Sequence, residues 1–150
     1  MHYLASKVDG FLAIGDLNRK FYLHHGIDAS RIFEVPYAVD NVFFQSKAAA
    51  AKATREKLRA SLDLLPGRPV ILCASKMTER KRPDDLLEAY IRLSPDHRTE
   101  PQPYLLFIGD GELRQRLEAR ASQFNWSTIK FLGFRNQSEL PMYYDLCDVF

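Results

Sequence analysis

Apolar runs of strand length alternate along this chain with longer stretches of helical spacing, and that alternation restricts its fold more than any other feature. Residues 11–14, 31–35, 70–74, 104–108 and 129–132 read as strands. Two of them, Val70-Ile-Leu-Cys-Ala74 and Tyr104-Leu-Leu-Phe-Ile108, are apolar at successive positions, the pattern of strands covered on both faces of a parallel sheet. The spacing predicts helices over 17–25, 48–62, 84–93 and 112–124, the last with Leu113, Leu117, Ala121 and Phe124 on one face. Right-handed strand-helix-strand crossovers then give an α/β fold, an open doubly wound parallel sheet whose ligands sit at the carboxyl ends of the strands.

Length and charge narrow the function classes. The chain has 150 residues, one domain's worth, with 46% hydrophobic residues, enough for a core. Lys plus Arg number 21 against 19 Asp plus Glu, so the net charge of +2 gives no bulk attraction to nucleic acid and any site must be local. No apolar run reaches the roughly 20 residues of a membrane span and no signal pattern opens the chain, which predicts a cytoplasmic protein. Cys73 and Cys147 form no paired motif and are expected to be buried thiols. Residues 35–44 show no helical period and read as a connector, which sets expected domains at 1–36 and 37–150. The first lacks enough chain for its own core and reads as a remnant, while the apolar run at 146–150 ends where a strand should continue, so the chain is expected to be a fragment.

Three expected strand-end loops carry candidate chemistry. After residue 74 comes Ser75-Lys-Met-Thr-Glu-Arg-Lys-Arg-Pro83, in which four of the seven residues 76–82 are basic, leading into a helix begun by Pro83-Asp84-Asp85. Its cations and the helix's free amides could converge on a phosphate; equally, they could be solvated and pair weakly with Glu79 or Asp85. Ile108-Gly-Asp-Gly-Glu-Leu113 places Gly109 and Gly111 at a strand-to-helix junction, either for close approach of a ligand or for a tight turn. It lacks the third glycine of a dinucleotide fingerprint, and no Walker A pattern occurs anywhere. Phe131-Leu-Gly-Phe-Arg-Asn-Gln-Ser138 offers Phe134 and Arg135 to a flat base, or is a short loop with Ser138 capping the next helix.

Other signals carry less. Ser127 and Lys130 resemble a serine-lysine pair, but Lys130 opens a strand and would face elsewhere. The glycosylation-type patterns at Asn125 and Asn136 are read as chance without a secretory signal. His24 and His25 suit a helix carbonyl end and have no third ligand nearby, so no metal site is expected. Pro101-Gln-Pro103 and Leu65-Pro-Gly-Arg-Pro69 mark turns.

Taken in order, these segments resemble the retaining glycosyltransferases of family 4, the group 1 enzymes of the GT-B fold. The likeness runs through Val8-Asp-Gly-Phe-Leu-Ala-Ile14, Gly26-Ile-Asp-Ala-Ser-Arg-Ile32, Val35-Pro-Tyr-Ala-Val-Asp40, Lys76-Met-Thr-Glu-Arg-Lys81, Leu87-Glu-Ala89, Ile108-Gly-Asp-Gly-Glu-Leu113, Phe131-Leu-Gly-Phe134 and Tyr144-Asp-Leu-Cys-Asp-Val-Phe150. The resemblance implies two Rossmann-like domains, the chain holding the interdomain hinge at 35–40 and most of the first half of the C-terminal donor-binding domain. It implies that Lys76 and Lys81 neutralise the donor diphosphate, that Ser75, Gly109 and Gly111 line the donor side, and that Phe134 and Arg135 lie near the base. The implied donor is a nucleotide-sugar, usually UDP- or GDP-linked, with no metal or other cofactor and no nucleic-acid partner. The implied parent is a hexosyltransferase-type enzyme of polysaccharide biosynthesis, with a glycan or lipid-linked acceptor held by the other domain and possible peripheral membrane contact. Catalytic residues are not assigned within this stretch, which alone is expected to be inactive. Ser75 stands where glycine is common, Lys76 where arginine is common, and Tyr37-Ala38 where the hinge often has Asn-Gly; a lysine supplies point charge without arginine's bidentate fork. The competing readings are a non-catalytic module that binds a phosphorylated partner or nucleic-acid backbone through residues 76–82, and a dinucleotide oxidoreductase, which the missing fingerprint disfavours.

Overall fold

The computed structural model describes residues 7–93, 102–124 and 127–150. Residue 101 of the expected turn and residues 125–126 of the first glycosylation-type pattern lie outside them. The chain divides into two compact units, residues 1–40 and 41–150.

In the smaller unit, β1 (Phe11–Ala13) and β2 (Ile32–Glu34) pair in parallel across the connecting helix α1 (Asp16–His24). Its core is Ala13, Ile27 and Ile32, with Phe11 and Tyr22 packed against them. The Asp28 carboxylate accepts the Ser30 N–H at 2.8 Å and caps the 3-10 turn Ala29–Arg31 that leads into β2. Arg31 ties the start of the unit down by donating to the carbonyls of Val8 and Asp9.

The larger unit begins with a helix, not a connector. Helix α2 (Asn41–Ala51) is followed by a 3-10 turn (Lys52–Thr54) and helix α3 (Arg55–Ser61). The expected connector through residue 44 and single helix over 48–62 are both corrected. No residue of α2 is buried, so it has no apolar stripe to betray a period. Instead its run of alanines favours helix locally, and Phe44 meets the Tyr144 ring at 6.4 Å. The break comes where the Thr54 hydroxyl donates to the Ala51 carbonyl at 3.1 Å, an alternative bond that threonine offers the backbone.

Three parallel strands follow in the order β3 (Val70–Ala74), β4 (Tyr104–Ile108), β5 (Ile129–Gly133). All five residues of β4 are buried, as a continuously apolar central strand requires. One face of the sheet, through Leu105, Phe107 and Ile129, packs on α4 (Pro83–Leu93) and α5 (Arg114–Ser122) through Leu87, Tyr90, Leu117 and Ala121. The other, through Val70, Leu72, Leu106 and Ile108, packs on Leu58 of α3 and on Tyr143 and Leu146 of α6 (Leu140–Leu146). Helices on both faces make this the doubly wound α/β fold that the alternation predicts. At the far end Val149 bridges Ile71 in parallel, and its carbonyl accepts the Leu72 N–H at 2.8 Å.

Smaller departures have local causes. Residues 112 and 113 precede α5, because the Leu113 N–H is drawn to the Met77 carbonyl at 3.1 Å. Ser138 does not cap α6; Glu139 stands at the N-cap without a side-chain cap bond, and its carboxylate instead accepts the Asn136 N–H at 2.9 Å in the turn before the helix. Both cysteines are free and half-buried rather than fully buried, and partial burial pushes each thiol above its ordinary range. Lys130 reaches Asp63 at 3.7 Å, away from any Ser127 partnership. No helix among the described residues is long and apolar enough to cross a membrane.

Candidate functional site

At the carboxyl ends of β3, β4 and β5 the three loops close on one cavity of about 480 Å³. Its lining is Ala74, Ser75, Lys76, Ile108, Gly109, Asp110, Gly111, Phe134, Arg135 and Leu140. Six of the seven residues singled out for the site therefore meet here: Ser75, Lys76, Gly109, Gly111, Phe134 and Arg135. Lys81 does not line the cavity; it is exposed on the 3-10 turn Glu79–Lys81.

Backbone bonds between the first two loops build the floor. The Ser75 N–H donates to the Ile108 carbonyl at 3.0 Å, and the Met77 N–H to the Asp110 carbonyl at 2.9 Å. Met77 anchors this lattice in the core at 1% exposure, a role hidden within a loop that composition marks only as basic. The glycines answer to this packing. A Cβ at Gly109 would fall closer than 3.0 Å to the Ser75 carbonyl, and one at Gly111 equally close to that of Met77. Both also have positive φ, 127° and 157°. Absent side chains here let two loops approach each other, so the tight-turn reading explains the glycines before any ligand does.

Asp110, whose motif was noted without a role for its side chain, holds the second loop. Its carboxylate accepts the Gly111 N–H at 2.7 Å and the Arg114 guanidinium at 3.1 Å. The Gly111 N–H, helped by Arg114, holds this carboxyl below the usual aspartate range. The third loop joins through the Gly109 N–H, which donates to the Gly133 carbonyl at 2.9 Å where the β4–β5 register shifts. Beyond it, Phe134 is 69% exposed at the rim. Arg135 is half-buried, its Nε donating to the Tyr143 hydroxyl at 2.8 Å and its Nη1 to the Phe134 carbonyl at 3.1 Å. Leu140, at the first position of α6, completes an apolar wall with Ala74 and Ile108. Sequence reading missed Leu140 and Tyr143, since an apolar helix start and a core tyrosine carry no local signal of a site.

The basic loop has split. Lys76 enters the cavity wall, whereas Arg82 turns back on Asp85 with an ion pair of 2.7 Å, the weak surface pairing foreseen as an alternative. The first-turn aspartate Asp84 is taken by Arg116 at 2.8 Å, and Glu88 by Arg120 at 2.6 Å, so these acids lace α4 to α5 and face no ligand. Lys76, Arg80 and Lys81 make no ion pair among the described residues.

A parallel sheet wound on both faces, with an apolar and cationic cavity at its strand ends, defines a Rossmann-like architecture. The profile of the family described as glycosyl transferases group 1 matches residues 54–150, and the chain belongs to that family. Among solved structures, a glycosyltransferase from Rickettsia africae is similar over 93% of this chain and 36% of its own, with 23% identity and a TM-score of 0.72. WaaG, a glycosyltransferase involved in lipopolysaccharide biosynthesis, covers 91% of this chain and 36% of its own at 18% identity and a TM-score of 0.67. HepE from Anabaena, in complex with UDP, covers 94% of this chain and 37% of its own at 19% identity and a TM-score of 0.64. These likenesses place the fold with the C-terminal Rossmann-like domains of GT-B glycosyltransferases. The chain spans 36–37% of the length of these three structures. No curated sequence gives a significant match.

Proposed function

We propose that this chain carries part of the donor site of a retaining, hexosyltransferase-type glycosyltransferase, which moves a sugar from a UDP- or GDP-linked donor to a glycan or lipid-linked acceptor. The supporting observation is the convergence of three strand-end loops on one cavity that is apolar on one side and cationic at Lys76 and Arg135. A nucleoside diphosphate has the complementary halves, a flat base and a charged diphosphate. Phe134 at the rim suits the base, and Lys76 suits the diphosphate. Ser75, Gly109 and Gly111 line the space between, and Lys81 adds positive charge from the neighbouring turn. Preplaced cations that meet the charge growing on the departing nucleoside diphosphate lower the barrier without a protein nucleophile or a metal. That HepE was solved with UDP is in keeping with this reading. The acceptor, cytoplasmic location, peripheral membrane contact and a place in polysaccharide synthesis extend the same proposal to the parent enzyme.

Calorimetric titration of the chain with UDP, GDP, ADP and NAD tests it. One nucleoside diphosphate binds selectively, and Lys76→Ala weakens it by about 1.5–3 kcal/mol, roughly tenfold to a hundredfold in Kd. Lys81→Ala weakens it less, because its cation acts from outside the wall. Absence of diphosphate binding, or indifference to Lys76, overturns the reading. The exposed Arg80 and Lys81 favour one competitor, a module for phosphorylated partners or nucleic-acid backbone. That competitor requires oligonucleotide binding that falls steeply with salt and does not depend on Lys76.

A further inference from the structure

We infer that Tyr143 is a positioning residue whose hydroxyl aims Arg135 into the cavity, and that the aimed guanidinium selects bases with a keto oxygen at pyrimidine C4 or purine C6 over those with an amino group there. This rests on reading the cavity as a nucleotide site.

An arginine in a strand-end loop ordinarily samples many rotamers, and each one frozen costs entropy. Arg135 is instead held at two points, by the Tyr143 hydroxyl at 2.8 Å from Nε and by the Phe134 carbonyl at 3.1 Å from Nη1. Its guanidinium carbon also lies 5.9 Å from the centre of the Tyr143 ring. The anchor is rigid: Tyr143 sits on α6 at 5% exposure, packed in the core beneath β3 and β4. Nη2 is left without a partner among the described residues, on a side chain that lines the cavity beside Phe134.

A guanidinium donates hydrogen bonds and accepts none. Uracil and guanine each carry a keto oxygen at the exocyclic position where cytosine and adenine carry an amino group. Nη2 can donate to the former and meets donor against donor with the latter, so discrimination comes from repulsion as well as attraction. Without the Tyr143 hydroxyl only the Phe134 carbonyl still holds the guanidinium, and the preference decays.

The test is titration of the chain with UDP, CDP, GDP, ADP and inorganic pyrophosphate. The better of UDP and GDP binds at least about tenfold tighter than its amino counterpart, the scale of one good base-edge contact. Tyr143→Phe keeps the ring and removes only the hydroxyl; it cuts that ratio by about fivefold and leaves pyrophosphate affinity unchanged. A purely structural role would weaken every ligand alike. Arg135→Gln abolishes the ratio, its folding checked by urea unfolding, and adding Tyr143→Phe to it causes no further loss. If UDP or GDP binds but the ratio is absent, or survives Tyr143→Phe, or the two losses add, the inference fails while the donor-site reading stands. If no nucleoside diphosphate binds, both fall.

Discussion

Residues 75–77 and 78–82 belong to one loop, yet they are governed by different partners. The first stretch is bonded backbone to backbone with residues 108–113 and buries Met77, which places the exposed Lys76 at the cavity wall. The second closes on itself, with the Lys81 N–H on the Thr78 carbonyl at 2.9 Å and Arg82 bent to a φ of 52° to reach Asp85. Four cations within seven residues look alike in sequence, and long-range backbone pairing alone separates the one at the site from the others.

That contrast can be broken most severely at Gly111. Gly111→Ala drives a methyl group into the Met77 carbonyl, where backbone on both sides leaves no room to yield. A loss of about 2–4 kcal/mol in urea unfolding is expected, the scale of strain at a special backbone position. A loss below about 0.5 kcal/mol would mean that the two loops are not locked together.

Asp110→Asn sharpens the comparison by acting on one loop only. The carboxyl is held below its ordinary value of 3.8 by the Gly111 N–H and then Arg114. A depressed carboxyl stabilises the folded chain above the unfolded value, and that contribution disappears as pH falls through the folded one. The unsubstituted chain therefore loses stability below pH 3.8 more steeply than Asp110→Asn does. Parallel acid-unfolding curves would contradict the assignment. The smallest effect is expected on the other side of the divide. Arg82→Gly relieves a left-handed residue but removes an exposed ion pair and frees the unfolded chain, terms of about 1 kcal/mol or less that offset one another. Stability should shift by less than about 0.5 kcal/mol, and affinity for a diphosphate should not change.

Elements whose pattern reflects their own burial were legible from sequence. β3 and β4 are apolar throughout and appear at the expected residues, and Leu113, Leu117 and Ala121 do form the buried stripe at α5, whereas Phe124 falls past the end of the helix, half-buried, with the Arg120 guanidinium 4.8 Å from its ring centre. Helix α2 was illegible for the converse reason: none of its residues is buried, so no period marked it. The site was half legible. Loops at strand ends could be named because the fold rule places them together, but the bond that holds Arg135 Nε comes from a hydroxyl eight residues away.

The alternation of strands and helices, the two-faced burial of the central strand and the three loops that gather at one sheet edge follow from periodicity and chain punctuation, which are local properties. Long-range contacts settle that Lys76 and not Lys81 lines the cavity, that Gly109 and Gly111 serve loop-to-loop packing, and that Tyr143 holds Arg135. Each of those outcomes rests on a hydrogen bond or steric contact between residues whose spacing no local pattern encodes.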